Sequence, residues 1–319
     1  MRARQSTACF NCPKMLPRHK LILEFWDRKK YLTIKNKDYK GFVNNFFLTL
    51  LKSDIKNSDL TTNSLIPKNK KIFAYIAAKE DGTVAGLEEF KFLSNDLKIS
   101  HCKKDGDKIK SGDVLVSIKG SARKIIARER AYLNLLQRMS GVATLVDSLN
   151  KKLNNKKTRI AATRKTLWGL LDKKAVSIGG GLTHRLNLND GIIIKDNHLK
   201  ILHGNIKKAV TLVKNKSRYV EIEAETKEQA ISAANIIKNI KNKNKILFAV
   251  MLDKIQPDGV KSIIEELKNE GLYDCILLEA SGNINQDNIG EYSDCGADII
   301  SMGCMTNSAK ALDMSMEVR

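Results

Sequence analysis

Residues 218–253 read RYVEIEAETKEQAISAANIIKNIKNKNKILFAVMLD. RYVEIEA is a strand-like run, the middle carries apolar residues at helical spacing, and ILFAVMLD is a second strand-like run. Such runs are apolar on both faces, as strands buried under helices must be. The stretch is therefore a strand–helix–strand unit. The same alternation continues on either side of it. TRIAA near 158, GIIIK from 191, CILLEA from 275 and ADIISMG from 297 are further strands. Helices are expected at 166–178, 204–215, 226–240, 257–270 and 285–293. A strand recurs roughly every 22 to 32 residues, as in βα units. Six parallel strands make either an open doubly wound sheet or a closed barrel. No G-x-G-x-x-G follows the first strand, which counts against a dinucleotide-binding sheet.

Upstream the pattern changes. Residues 122–152 have the period of one long helix, which Gly141 is expected to bend or split. KKIFAYIAAKEDGTVAGLEEFKFL reads as a strand, a turn at Asp81-Gly82, a second strand and a helix. DGDKIKSGDVLVSIKG adds short antiparallel strands around two more turns. FVNNFFLTLLKSD suits a short helix. Residues 1–42 have no clean period and read as a basic appendage, partly helical or mobile, of unknown role. The expected domains are 43–128, with 305–319 packing back on it, and a catalytic domain over 129–304.

The chain has 319 residues, 42% of them hydrophobic, and a net charge of +21. The lysines are dispersed among Asn and Ile without interleaved aromatics, so most of the charge reads as solvated surface. A basic nucleic-acid-binding protein is the alternative from another class. No apolar run approaches the roughly 20 residues of a membrane span. Of six cysteines, only Cys9 and Cys12 have metal-like spacing, and a C-x-x-C with no second half is weak evidence for zinc. Cys275 reads as a buried small hydrophobe. Reduced thiols and no secretory signal lead to the expectation of a cytoplasmic protein.

Chemistry gathers at the C-terminal strand ends, where α/β barrels build their sites. The first strand ends in Thr163, Arg164 and Lys165, and the second in Lys195. The third carries Glu221 and Glu223 on one face, and the fourth ends in Asp253. Ser281-Gly282 and Gly303 end the last two. With His184 and Arg185, the cations suit a multiply anionic ligand. The carboxylates would repel that ligand unless a divalent cation or sugar hydroxyls intervene, and Mg²⁺ with a ribose phosphate meets both demands. Gly179-Gly180-Gly181 is either a phosphate cradle or a helix end. No Ser-His-Asp set, zinc signature or Walker sequence appears. The pattern fits transfer chemistry run by electrostatics and positioning.

Several stretches carry a resemblance. ARERAYLNLLQRMSGVAT, TRKT, AVSIGGGLTHRLNL, IIIKDNHL, VEIEAET, LEASGNI and ADIISMG resemble quinolinate phosphoribosyltransferases. SDLTTNSLI, DGTVAGLEEF and DGDKIKSGDVLVSIKGSAR look like the family's N-terminal domain. The resemblance covers about 45 to 316. It implies a small α/β N-terminal domain packed with the chain's last helix, and an incomplete, roughly seven-stranded parallel α/β barrel. The implied reaction takes quinolinate and Mg²⁺-phosphoribosyl pyrophosphate to nicotinate mononucleotide, pyrophosphate and CO₂, in a homodimer or higher homo-oligomer with shared active sites and no organic cofactor.

Carried over residue by residue, Arg130 matches the arginine lent to a neighbouring subunit. Arg164, Lys165, His184, Arg185 and Lys195 match the quinolinate-binding cations. Glu223 and Asp253 match the Mg²⁺ and ribose side, with indirect metal contact through water. Ser281, Gly282, Asn283 and Gly303 match the phosphate side. Lys165, Lys195, Glu223 and Asp253 are the expected catalytic residues, and Thr163 lines the substrate. The chain departs from the family pattern at Ala162, in Trp168-Gly169-Leu170-Leu171, and at Lys254, Asn283 and Asn307. Nicotinate, or the acceptor of a paralogous group associated with molybdenum transport, is the alternative acceptor.

Overall fold

The computed structural model describes residues 16–153, 157–240 and 246–319. Its helices and strands are α1 Arg18–Trp26, α2 Lys37–Ile55, α3 Leu60–Leu65, β1 Lys71–Ala78, β2 Gly82–Thr83, α4 Leu87–Leu93, β3 Lys98–Cys102, β4 Lys108–Ile109, β5 Val114–Ser121 and α5 Ala122–Lys151. There follow β6 Arg159–Ala162, α6 Leu170–Ile178, β7 Ile192–Ile194, α7 Asp196–Ile201, α8 Ile206–Val213, β8 Tyr219–Ala224, α9 Lys227–Lys238, β9 Leu247–Asp253 and α10 Pro257–Asn269. The chain ends with β10 Leu277–Ser281, α11 Ile289–Ser293, β11 Ile299–Met302, α12 Cys304–Asn307 and β12 Met314–Val318.

The βα repeat forms a parallel six-stranded sheet in the order β6-β11-β10-β9-β8-β7. β6 and β7 stand at its two ends, so the barrel is incomplete. Beside β6, Leu182 bridges Ala161 in parallel, and Ala162 N–H donates to Leu182 O at 2.8 Å. That single bridge takes the place of a seventh strand. Registers run straight: Glu223 lies beside Met251, and Ser281 beside Asp253. Consecutive buried positions along β9 and β10 are what a sheet covered on both faces demands.

The other sheet is antiparallel, in the order β12-β1-β5-β3. Tyr132 of α5 lies against Phe47 of α2 and Phe90 of α4, with ring centroids 5.2 and 4.7 Å apart. Leu133 and Leu136 enter the same core as Ile76 and Ile118.

Three expectations change. The resemblance implied a last helix against the N-terminal domain, but residues 314–318 pair with β1 as a strand. Their register places Met314 opposite Ala78 and Val318 opposite Ala74. Gly141 does not break α5, which runs unbroken for 30 residues. A Cβ there would lie 2.0 Å from Lys310 O, so glycine is needed for close packing. Cys275 ends a short 3₁₀ turn before β10 and is half-buried rather than buried in a strand. Within residues 1–42, the helical part expected of the appendage includes α1, whose Trp26 is fully buried. Cys9 and Cys12 lie outside the described residues.

The described chain divides into two compact units. One holds the segment up to Trp26, Asn187–Gly282 and Glu291–Ile300; the other holds Asp27–Leu186, Asn283–Gly290 and Ser301–Arg319.

Candidate active site

In the first unit, β8, β9 and β10 end side by side. Glu223, the penultimate residue of β8, is buried, and its Oε2 accepts from Lys195 Nζ at 2.6 Å. Lys195 is the residue before α7, and its backbone N–H donates to His198 Nδ1 at 2.9 Å. Lys195 pairs with Glu223. Glu221 lies one pleat deeper on the same face and is wholly buried.

Asp253 ends β9, and the chain then turns sharply. Lys254 has φ +60°, a left-handed conformation that side chains other than Asn, Asp and Gly rarely adopt. Its backbone N–H donates to Ser281 O at 2.8 Å. Gly282 follows with φ +89°, and a Cβ there would lie 2.5 Å from Lys254 N. Glycine is therefore required where β10 gives way to its loop. Lys254 Nζ lies 3.3 Å from Asp253 Oδ2 and 3.3 Å from Glu225 Oε1. Its hydrogen bonds to Glu225 and Asp253 raise its pKa above the ordinary lysine value.

The second unit holds the remaining cations. Arg164 and Lys165 follow β6 and are exposed, with Thr163 half-buried. Thr163 Oγ1 accepts from Lys165 N–H at 3.1 Å, and Thr306 Oγ1 donates to Lys165 O at 2.7 Å. Gly303 gives Lys165 room, because a Cβ there would lie 3.0 Å from Lys165 Cδ. Asn307 lies on the same side of Gly303. Asn283 has φ +57°, and its carbonyl accepts from Asn288 Nδ2 at 3.2 Å. Arg130 is exposed on α5 and makes no hydrogen bond or ion pair among the described residues.

His184 and Arg185 are both buried, and His184 has φ +56°. Arg185 N–H donates to His184 Nδ1 at 2.8 Å. A ring nitrogen of His184 lies within 4.8 Å of carboxylate oxygens of the buried Glu221 and Glu279. His184, expected as one of the cations, is thus buried next to Arg185.

The glycine triplet ends α6. Gly180 has φ +89°, and a Cβ on Gly179 would lie 2.5 Å from Ala143 O. Helix ending and close packing on α5 account for these glycines, and no phosphate cradle is needed to explain them.

Sequence reasoning missed the residues that fix these loops. Arg138 of α5 is bidentate to Asp172, with Nε–Oδ1 and Nη2–Oδ2 both at 2.9 Å. It also donates to Ala309 O at 3.1 Å and to Thr306 O. Asp172 Oδ2 in turn accepts from the backbone N–H of Leu167 and Trp168. Its neighbour Lys173, 2% exposed, donates to Thr183 O at 2.6 Å and Arg185 O at 3.0 Å. Consecutive residues of one helix thus hold the loop after Arg164-Lys165 and the His184-Arg185 segment. The available signal was an Arg, an Asp and a Lys at positions where helical spacing calls for apolar residues.

Residues 59–140 match the family description "Quinolinate phosphoribosyl transferase, N-terminal domain", and residues 142–317 match its C-terminal domain. The chain belongs to the quinolinate phosphoribosyltransferase family. A probable nicotinate-nucleotide pyrophosphorylase (carboxylating) of Methanothermobacter thermautotrophicus is 39% identical over 279 residues, spanning 85% of this chain and 96% of that protein. One from Bacillus subtilis is 35% identical, spanning 88% and 93%. The crystal structure of NadC from Streptococcus pyogenes superposes with a TM-score of 0.76 at 30% identity, covering 87% of this chain and 96% of that one. Each strand end described above lies within the family match. The helix α1 lies N-terminal to it.

Proposed function

We infer that the chain is a pentosyltransferase that moves the phosphoribosyl group of phosphoribosyl pyrophosphate onto quinolinate. Nicotinate mononucleotide, pyrophosphate and CO₂ are the products, a step of NAD synthesis. The observation that carries this reading is coverage: relatives named for the activity match 85–88% of this chain and 93–96% of themselves.

The pyridine nitrogen forms a bond to the anomeric carbon as the bond from that carbon to pyrophosphate oxygen breaks. No proton leaves the nitrogen, so no general base is required. The carboxylate next to the nitrogen then departs as CO₂, and the electron pair left on the ring carbon takes a proton from water. Arg164 and Arg185 suit the two carboxylates of the acceptor. Lys165 and Lys195 act as point charges, while Glu223 and Asp253 face the ribose hydroxyls. Ser281 and the backbone at Gly282, Asn283 and Gly303 suit the 5′-phosphate.

Magnesium belongs with the sugar phosphate in this reading. Glu223 and Asp253 end adjacent strands and offer only carboxylate oxygens, which fits a hard cation held through water. When bound, it neutralises charge on the pyrophosphate. A homodimer is proposed because Arg130, exposed and unengaged among the described residues, is available to a second subunit's site. No helix is long and apolar enough to cross a membrane among the described residues, in keeping with a cytoplasmic enzyme.

Incubation with Mg²⁺, phosphoribosyl pyrophosphate and either quinolinate or nicotinate tests the assignment. Quinolinate should yield nucleotide with one CO₂ per turnover. Nucleotide from nicotinate alone would overturn the acceptor.

A further inference from the structure

Three carboxylates stand at the ends of β8 and β9: Glu223, Glu225 just past its strand, and Asp253. A polyanionic sugar phosphate approaching them meets repulsion unless each is covered. Lys195 covers Glu223 at 2.6 Å. The other two share Lys254, whose ammonium lies 3.3 Å from both. The two lysines are held differently. Lys195 makes one short contact to a buried partner. Lys254 is 61% exposed, makes two longer contacts, and can reorient about an unbranched side chain.

Its backbone is the more constrained part. φ is +60° at a residue with a long side chain, the N–H is tied to Ser281 O, and Gly282 must lack a Cβ for the loops to touch. Asparagine or glycine would adopt this conformation with less strain. Strain kept at such a position points to a use for the side chain. Anchored at the joint between Asp253 and Ser281, the ammonium swings within the rim where the sugar and its phosphates are placed.

We propose that Lys254 is a phosphate-binding cation of this enzyme, releasing Asp253 and Glu225 to engage the pyrophosphate of phosphoribosyl pyrophosphate and lowering the Mg²⁺ needed to bind it. The proposal rests on the phosphoribosyl-transfer reading above. Lys254 follows β9 and faces Asp253 at its end; from β8 it faces Glu225, and Lys200 of α7, paired with Asp196, is a second cation near both Glu225 and Lys254.

The test is calorimetric titration of phosphoribosyl pyrophosphate into the whole protein in chelator, then with increasing Mg²⁺. Lys254→Asn keeps the left-handed turn and removes the charge; Lys254→Arg keeps the charge. In chelator, Lys254→Asn should bind roughly tenfold more weakly, the loss of one charge-assisted hydrogen bond. It should also need more Mg²⁺ to reach wild-type affinity, and Lys254→Arg should recover most of both. Unchanged metal-free affinity in Lys254→Asn overturns the proposal. So does a lower Mg²⁺ requirement, which would make Lys254 a competitor of the metal. If Lys254→Arg is as weak as Lys254→Asn, charge is not the cause and the proposal falls. A circular-dichroism melt shows that each variant is folded, with Lys254→Gln replacing Asn if needed. Failure of the wild-type protein to bind the sugar phosphate at all would instead sink the reading on which the proposal rests.

Discussion

Arg138 and Asp172 form a bidentate ion pair inside the protein, the aspartate fully buried and the arginine nearly so. The pair ties α5 to α6, and its spare hydrogen bonds reach Thr306 O, Ala309 O and the backbone of Leu167 and Trp168. Removing one partner leaves the other charge uncompensated in the interior. Arg138→Met should therefore cost roughly 3–5 kcal/mol of stability, read as a fall in the urea midpoint. The double variant Arg138→Met, Asp172→Leu should recover part of that loss. A single variant within 1 kcal/mol or so of wild type would show that Asp172 is adequately solvated without its arginine.

A second prediction concerns pH. Burial, then repulsion from Asp105, raises the Glu89 carboxyl to about 7, while Lys174 and the hydrogen bond from Tyr39 act against the rise. Tyr39 itself is raised by burial and by Glu89, and the Tyr39 hydroxyl donates to Glu89 Oε1 at 2.7 Å. A carboxyl raised in the folded chain keeps its proton after the unfolded chain has released it. Stability should fall as pH rises from about 4.5 to about 7, by up to roughly 3 kcal/mol, and no further from this group above that window. Asp105, raised mainly by burial, adds to the fall. Glu88 opposes it, because hydrogen bonds from Lys174 and Thr33 outweigh its burial and lower it. Chemical denaturation across pH should show a flatter curve for Glu89→Gln. Parallel curves would assign the dependence elsewhere.

The sequence made the strand ends legible because period and polarity act together there. A strand buried on both faces is apolar until it reaches the edge, so Lys195, Glu223, Asp253 and Ser281 stand out. Helix limits after 200 came within a few residues for the same reason. The inner supports were not legible. Arg138, Asp172 and Lys173 stand where helical spacing calls for apolar residues, but only long-range packing shows which partners hold their charges in the interior. Gly141 reads as a breaker in one dimension and is a contact in three. Trp26 sits in a segment with no period, since a nine-residue helix gives too few turns to show one. The last strand escaped because its partner, β1, lies more than 230 residues away in sequence.

That Trp26 contact supports a third prediction. The indole N–H donates to Glu279 Oε2 at 2.7 Å, both side chains wholly buried, and Arg18 is bidentate to Asp298 at 2.7 and 2.6 Å. Helix α1 is thus bound to the strand β10 and to the turn before β11, within one unit. Trp26→Phe keeps most of the apolar bulk and removes the donor from a buried carboxylate. It should destabilise by roughly 2 kcal/mol, and Arg18→Ala by less, because that pair is partly exposed. Hydrogen exchange along β10 should quicken in Trp26→Phe. If exchange there is unchanged while the melting temperature falls, the indole stabilises α1 alone.

The fourth prediction tests assembly. Arg130 lies on α5 in one unit, exposed, and Lys195 lies in the other, paired with Glu223. In a homodimer with shared sites, each pocket would draw Lys195 from one chain and Arg130 from its neighbour. Arg130→Ala and Lys195→Ala should each be nearly inactive alone, since each removes a charge from a site run by positioned charges. Mixing the two and allowing subunits to exchange should restore activity. In a mixed dimer one pocket carries both lesions and the other carries neither. Random exchange makes half of the dimers mixed, each with one intact pocket of two, so the mixture should approach about a quarter of wild-type activity. Subunit exchange is followed independently by energy transfer between labelled chains. Complete exchange with no recovered activity would mean that Arg130 acts within its own chain, or not at the site.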